Sequence, residues 1–158
     1  MLFARGDVAA AIEEGRKAVA CNPWDTLVLT SYAVRLIWSG DAERGSALLH
    51  QVEELNPNRP QFLNFALFIG AYMRGDDATA ARYALKLTGG NSAYSLVAQA
   101  IVAVRAGQRQ RAREEIRKLS ELRPGWQNNA RHLLKRYGAP DNVAERLALD
   151  LESAGFSH

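Results

Sequence analysis

The chain has 158 residues, of which 47% are hydrophobic and 23% charged, and its formal net charge is +3. This balance is typical of a soluble folded domain and excludes a disordered chain, and the length leaves no room for a catalytic domain with a separate regulatory domain. The single cysteine, Cys21, cannot form an internal disulfide, which excludes a disulfide-stapled secreted fold. We expect Cys21 to fill core space as a small apolar residue.

Apolar residues recur at helical spacing along most of the chain, and glycines, prolines and capping residues divide them into segments. The predicted helices lie at residues 7–21, 25–39, 41–55, 60–74, 76–88, 92–106, 108–122, 126–137 and 141–154. The most apolar stretch, residues 62–73, is shorter than the roughly 20 residues that a membrane span requires. Because the N-terminus also has no signal-peptide pattern, the expectation is a cytoplasmic protein without a membrane partner.

A repeat with a period of 32 to 35 residues runs through these helices. Its phase is set by four glycines: Gly6, Gly40, Gly75 and Gly107. Five residues after each glycine stands a small residue: Ala11, Gly45, Ala80 or Ala112. A proline closes three of the four units: Pro23, Pro57 and Pro124. In this pattern the glycine ends one helix, the aspartate that follows three of the glycines caps the next helix, and the small residue lets two helices approach closely. Because a two-helix unit cannot bury both its faces alone, the pattern predicts units stacked on one another.

The local strings of the repeat point to a known family. The string Gly6-Asp7-Val8-Ala9-Ala10-Ala11-Ile12, followed by Lys17-Ala18-Val19 and Asn22-Pro23, resembles the second helix of the tetratricopeptide repeat. The resemblance covers residues 1–126. It implies an all-α fold, a right-handed superhelix of helical hairpins closed by C-terminal capping helices.

The resemblance also divides the chain into units. It implies an incomplete first repeat, further repeats at 25–59, 60–91 and 92–125, and capping helices at 126–158. Only five residues precede Gly6, so we expect either the C-terminal piece of a longer array or an open N-terminal face that invites a homodimer. The third unit closes with Gly89-Gly90-Asn91-Ser92 instead of a proline, and we expect the superhelix to be distorted there.

The end of the chain predicts a terminal cap. Val143, Leu147 and Leu151 lie on one face of the last predicted helix, and Gly155 is placed to stop it. The ending Glu152-Ser153-Ala154-Gly155-Phe156 resembles the ends of tetratricopeptide regions behind bacterial class III adenylyl cyclase domains and winged-helix transcriptional activators. This resemblance implies a bacterial signalling or regulatory protein. Nothing catalytic carries over, because this sequence holds neither a cyclase nor a DNA-binding domain.

The repeat phase predicts a binding groove. In a tetratricopeptide superhelix the first helix of each pair lines the concave face, and the resemblance places on it Thr30, Val34, Trp38, Phe62, Phe65, Ile69, Tyr72, Met73, Tyr94, Ile101 and Arg105. Such an apolar and aromatic lining is typical of surfaces that anchor a protein partner. The predicted function is therefore a non-catalytic scaffold that binds a protein or peptide segment. Tetratricopeptide repeats that bind the C-terminal tails of chaperones use basic and asparagine side chains on these helices. The corresponding positions here carry Thr30, Val34, Phe65 and Ile69. A C-terminal carboxylate is therefore not the expected ligand.

An alternative stays open for these groove residues. In this alternative, the groove residues belong to the core, or the helix at 141–154 folds back and covers them, because large apolar surfaces seldom stay bare. The chain would then be a regulatory or dimerisation segment of a larger signalling or transcription protein, in which the groove is filled internally and the N-terminal face makes the contacts.

The sequence also contains a basic stripe, and it contains no recognised catalytic motif. Residues 105–136 carry ten Lys and Arg against three Glu, which suits a nucleic acid, but a solvated helix face is the favoured explanation. The three histidines, His50, His132 and His158, are far apart in sequence, and no metal-binding or phosphate-binding motif occurs. We expect neither an enzyme nor a cofactor or metal.

Overall fold

The computed structural model describes residues 8–58, 62–87, 92–125, 130–132, 134–135 and 139–155. The helices with defined bounds are α1 (Val8–Cys21), α2 (Thr26–Ser39), α3 (Ala42–Leu55), α4 (Phe62–Arg74), α5 (Asp77–Lys86), α6 (Ala93–Arg105), α7 (Arg109–Leu122) and α8 (Asp141–Ser153). Residues 130–132 and 134–135 are also helical, and none of the described residues is in a strand. The predicted bounds of these eight helices agree with the structure to within two residues at each end. The remainder of the predicted helix at 126–137 lies outside the described residues.

A glycine ends one helix and the aspartate after it caps the next helix, as the repeat predicts. Gly40 has a φ of 102°, a left-handed conformation that ends α2 at little steric cost only for glycine. The next residue, Asp41, accepts a hydrogen bond from the backbone N–H of Arg44 and thereby caps α3. Gly75 and Asp76 repeat the arrangement between α4 and α5. The first pair, residues 6–7, lies outside the described residues.

In the unit that lacks a closing proline, a serine caps the helix that follows. Ser92 stands at the position of the proline, and its hydroxyl accepts a hydrogen bond from the backbone N–H of Ser95, which caps α6. The distortion expected at residues 89–91 lies outside the described residues.

Helices that follow one another in the chain pack against one another. The densest contacts join α2 to α3, α4 to α5 and α6 to α7, and short connections within these pairs make them antiparallel hairpins. Contacts from α3 to α4 and from α5 to α6 stack the hairpins in order. Helix α4 also contacts both α2 and α6, so the three form one row, with α1 packed on α2 and α8 packed on α6. The described part of the chain is therefore an all-helical stack of pairs.

The small residues of the repeat lie where two helices meet. A side chain on Gly45 would place its Cβ 2.6 Å from the carbonyl oxygen of Ala33 and 2.7 Å from Ile37 Cγ1, so α2 and α3 touch there at the backbone. Ala80 and Ala112, at the same phase of the next two units, are buried. The predicted role of these residues in close helix approach is confirmed.

The most apolar helix lies in the middle of the stack. Helix α4 contacts the hairpin on each side, and residues 66–72 are all buried, which explains its apolar composition. None of the helices in the described ranges has the length and apolarity needed to cross a membrane.

The prediction for Cys21 is wrong. Cys21 is the last residue of α1 and is exposed. Helix α1 packs on α2 through Ala11 and Gly15, its buried residues, and Cys21 lies away from that contact. Because one side of α1 is covered and the rest faces solvent, a residue of core-like chemistry at its end is left on the surface.

Candidate partner-binding surface

An apolar pocket lies on the inner face, by which we mean the surface of α2, α4 and α6 that is not covered by α3, α5 and α7. It encloses about 190 Å³ and is lined by Val34, Trp38, Phe62, Phe65, Ala66, Ala93, Tyr94, Val97, Leu134 and Ala139. None of these side chains carries a charge. The pocket therefore favours an apolar group over water or an ion.

Helical spacing builds the walls of the pocket. Val34 and Trp38 are one turn apart on α2, and Phe62 and Phe65 are one turn apart on α4, so each pair presents two side chains to the same side. The rings of Phe65 and Tyr94 have centroids 4.8 Å apart and planes inclined by 53°, which joins α4 to α6 across the floor of the pocket. Phe62 remains 45% exposed at the mouth.

The structure brings five of the predicted groove residues together in this pocket. They are Val34, Trp38, Phe62, Phe65 and Tyr94, and they are joined by Val97, which the same repeat phase places on this face of α6. Four further lining residues, Ala66, Ala93, Leu134 and Ala139, were not predicted. The two alanines on α4 and α6 are next to predicted aromatic residues in sequence. A prediction that took in a broader face of each helix would have included them. Leu134 and Ala139 come from the cap, to which the repeat phase does not extend.

Four other predicted groove residues are buried, so the expectation that they line an accessible groove is wrong. Ile69, Tyr72 and Ile101 are at most 1% exposed. Thr30 is also buried, and its hydroxyl donates a hydrogen bond of 2.6 Å to the carbonyl oxygen of Thr26 in its own helix. The repeat phase identified the face of the helix but not what covers it.

Tyr72 is covered by α8. Its hydroxyl donates a hydrogen bond of 2.8 Å to Asp150 Oδ2. The guanidinium groups of Arg105 and Arg146 lie 5.1 Å and 4.7 Å from the centroid of its ring. Nε of Arg105 is also 3.6 Å from Asp150 Oδ2. Tyr72, Arg105, Arg146 and Asp150 form what we call the α8 contact, and the alternative that the last helix folds back is correct for this part of the face.

The remaining predicted residue, Met73, lies at the edge of the α8 contact. It is half-buried against the core, and its carbonyl oxygen accepts a hydrogen bond of 3.4 Å from Arg146. Met73 and Arg105 are therefore placed beside α8 and do not line the apolar pocket.

The phenol of Tyr72 is held in its neutral form. Burial, and then the hydrogen bond to Asp150, raise the pKa of Tyr72 well above its ordinary value. The hydroxyl therefore remains a donor to Asp150 throughout the neutral pH range. This makes the contact between α4 and α8 a fixed hydrogen bond under physiological conditions.

Apolar packing and ion pairs also hold α8. Val143, Leu147 and Leu151, the predicted apolar face, are fully buried. Arg131, in the helical residues before α8, pairs with Glu145 at 2.7 Å and with Glu152 at 2.6 Å. The predicted apolar face of the last helix is confirmed, and α8 packs on α6 beside the apolar pocket.

The basic stripe is partly paired with carboxylates. Of its described members, those with a carboxylate partner are Arg105, Arg117, Lys118, Arg131 and Lys135. Arg136 lies outside the described residues. These partners reduce the positive field of that part of the stripe.

Neither a protein-family model nor a curated protein matches the chain. In the part of the chain that the structure describes, no three His, Cys, Asp or Glu residues lie close enough together to hold a metal ion.

Proposed function

We propose that this chain is a non-catalytic protein-interaction scaffold of the tetratricopeptide type, which binds a segment of a partner protein in its apolar pocket. The glycine and proline spacing of the repeat supports the family, together with the stacked hairpins. The observation that carries the proposal is the uncharged pocket, with Trp38, Phe65 and Tyr94 only partly buried around it. A bacterial origin belongs to the same proposal, because it depends on the resemblance, and the expected cytoplasmic location is proposed with it.

Aromatic residues in a concave apolar site supply much of the free energy of protein association. Partly buried aromatic side chains lose their remaining contact with water when a partner covers them, at a small cost in side-chain entropy. An apolar pocket without a partner keeps that surface hydrated, which is unfavourable. The open pocket therefore has apolar surface that a protein partner would remove from water.

The test is site-specific photo-cross-linking in cells that express the chain. A benzophenone amino acid replaces Phe62 at the mouth of the pocket or, as the control, Leu85, an apolar residue of α5 that is 63% exposed. We expect one protein to be cross-linked from position 62 and not from position 85. The proposal fails if the two positions capture the same proteins, or if position 62 captures none.

The α8 contact favours a second candidate function. Because α8 already covers Tyr72 and its neighbours, the chain also suits a regulatory or dimerisation segment whose inner face is filled by its own helix. Sedimentation over a wide range of protein concentration tests this candidate. A monomer at every concentration would reject self-association.

A further inference from the structure

The geometry points to a zinc-binding site between α3 and α5, which belong to consecutive hairpins. Its protein ligands are Nδ1 of His50, Oε2 of Glu53 and the phenol oxygen of Tyr83, and a water molecule from the solvent completes the coordination of the Zn²⁺ ion. The site is independent of the apolar pocket, because none of these three residues lines that pocket. The inference follows from the spacing of the donor atoms, from their protons and from the charges around them.

The three donor atoms form a nearly equilateral triangle. Nδ1 of His50 is 3.1 Å from Oε2 of Glu53, and the oxygen of Tyr83 is 3.3 Å from each of these two atoms. Two ligands of a tetrahedral zinc ion, with bonds of about 2.0 Å, lie about 3.3 Å apart. The ligands of an octahedral Mg²⁺ ion lie about 2.9 Å apart, and Mg²⁺ prefers oxygen to imidazole. The spacing and the donor set therefore both favour zinc.

Hydrogen bonds cannot account for all three sides of this triangle. The imidazole nitrogen and the phenol together carry at most two hydrogens, and an ionised carboxylate carries none, so at least one of the three contacts has no proton between its atoms. A zinc ion accepts a lone pair from all three atoms at once. Tyrosine binds metals through its phenolate oxygen, as it does in some haem proteins, and the phenol of Tyr83 gives its proton to the solvent when zinc binds.

The helices bring the ligands together and leave one side open. His50 and Glu53 are three residues apart on α3, so their side chains share one face of the helix. Tyr83 comes from α5 and is buried, which fixes the position of its oxygen. The side chain of His50 is 45% exposed, so the ion and its water can enter from the solvent. Motifs of closely spaced histidines and cysteines do not reveal this site, because its third ligand is a tyrosine 30 residues after Glu53.

The charges around the triangle support the ionised ligands. Nζ of Lys86 donates a hydrogen bond of 3.3 Å to Oε1 of Glu53, the other carboxylate oxygen, and so holds Oε2 towards His50 and Tyr83. Nζ of Lys86 and the guanidinium of Arg82 lie 4.9 Å and 5.2 Å from the centroid of the Tyr83 ring, where they stabilise a phenolate. The carboxylate and the phenolate neutralise the two charges of the zinc ion, so the neighbouring cations face a neutral centre.

The experiment measures zinc binding to the full-length, untagged and metal-free chain by isothermal titration calorimetry. His50→Ala and Tyr83→Phe each remove one ligand, and the second of them keeps the buried ring. His132→Ala is the matched control, because His132 is an exposed histidine outside the triangle. Circular dichroism verifies the fold of each variant. Urea unfolding with and without zinc then gives the shift that zinc causes in each protein.

We expect one zinc ion per chain, with an affinity that falls at least about tenfold in His50→Ala and in Tyr83→Phe and is unchanged in His132→Ala. Zinc should raise the urea midpoint of the wild type, and should raise that of Tyr83→Phe less, even where this variant is itself less stable. A wild-type chain that binds no zinc overturns the inference. Binding that His50→Ala and Tyr83→Phe leave unchanged overturns it as well, and equal affinity for Mg²⁺ would overturn the assignment to zinc.

Discussion

The inner face has two parts that arise from the same helical spacing and differ in what covers them. Along α4, Phe62 and Phe65 begin a series that Ile69 and Tyr72 continue. The first two line an open apolar pocket, whereas the last two are buried, with the hydroxyl of Tyr72 bonded to α8. The comparison shows that the phase of a residue on a helix determines its direction, and that its accessibility depends on what packs over it.

The two parts also differ in polarity. The α8 contact contains charged side chains and a phenol that satisfy one another through hydrogen bonds and through guanidinium groups placed over a ring. None of the described side chains that line the apolar pocket is charged. The covered part therefore has its polar partners within the chain, and the open part gains most from an apolar partner outside it.

The largest expected effect is on the covered part. Leu147→Ala removes a fully buried side chain from the middle of α8, and we expect it to lower the free energy of unfolding by about 2 to 5 kcal/mol. Val34→Ala, in the open pocket, removes a side chain that is only half-buried and should cost about 1 kcal/mol or less. Urea unfolding of both variants measures the difference. Equal costs would mean that the two parts are covered alike.

A smaller effect is expected from the hydrogen bond within the α8 contact. Tyr72→Phe removes the hydroxyl that donates to Asp150, and we expect a loss of about 1 to 2 kcal/mol in the free energy of unfolding. Asp150→Asn and the double variant complete a double-mutant cycle. Strictly additive costs would show that the two side chains do not interact, and that this hydrogen bond does not help to hold α8.

The raised pKa of Tyr72 makes the stability of the chain fall in alkaline solution. In the folded chain this phenol keeps its proton above its ordinary pKa of about 10, whereas the unfolded chain releases it. The contribution is complete below pH about 10 and is lost as the pH rises through the folded pKa. Unfolding of the wild type and of Tyr72→Phe above pH 10 should therefore converge. A constant gap between their stabilities would contradict this assignment.

The smallest effect on stability is expected at the mouth of the open pocket. Phe62→Glu replaces a side chain that is 45% exposed and places a negative charge in the first turn of α4, where the helix dipole favours it. We expect a change of less than about 1 kcal/mol in the free energy of unfolding, with an unchanged circular dichroism spectrum. A large loss would mean that Phe62 is a core residue, and the contrast between the two parts would weaken.

Local chemistry explains which features could be predicted. Gly40 and Asp41 end one helix and cap the next through contacts with their own neighbours in sequence, so the helix bounds follow from the residues. The apolar face of α8 is likewise a matter of spacing along one helix. The exposure of Cys21 could not be predicted in this way, because it depends on whether another element packs on the far side of α1.

The sequence by itself determined the helices, their order and the direction in which their apolar residues face, because hydrogen bonding and spacing within a helix are local. The tertiary structure decided which part of the inner face is open. Leu134 and Ala139 reach the pocket, and Asp150 reaches Tyr72, only because the end of the chain returns to α4 and α6. Contacts between residues far apart in sequence depend on the packing of whole helices, which no periodicity within one repeat encodes.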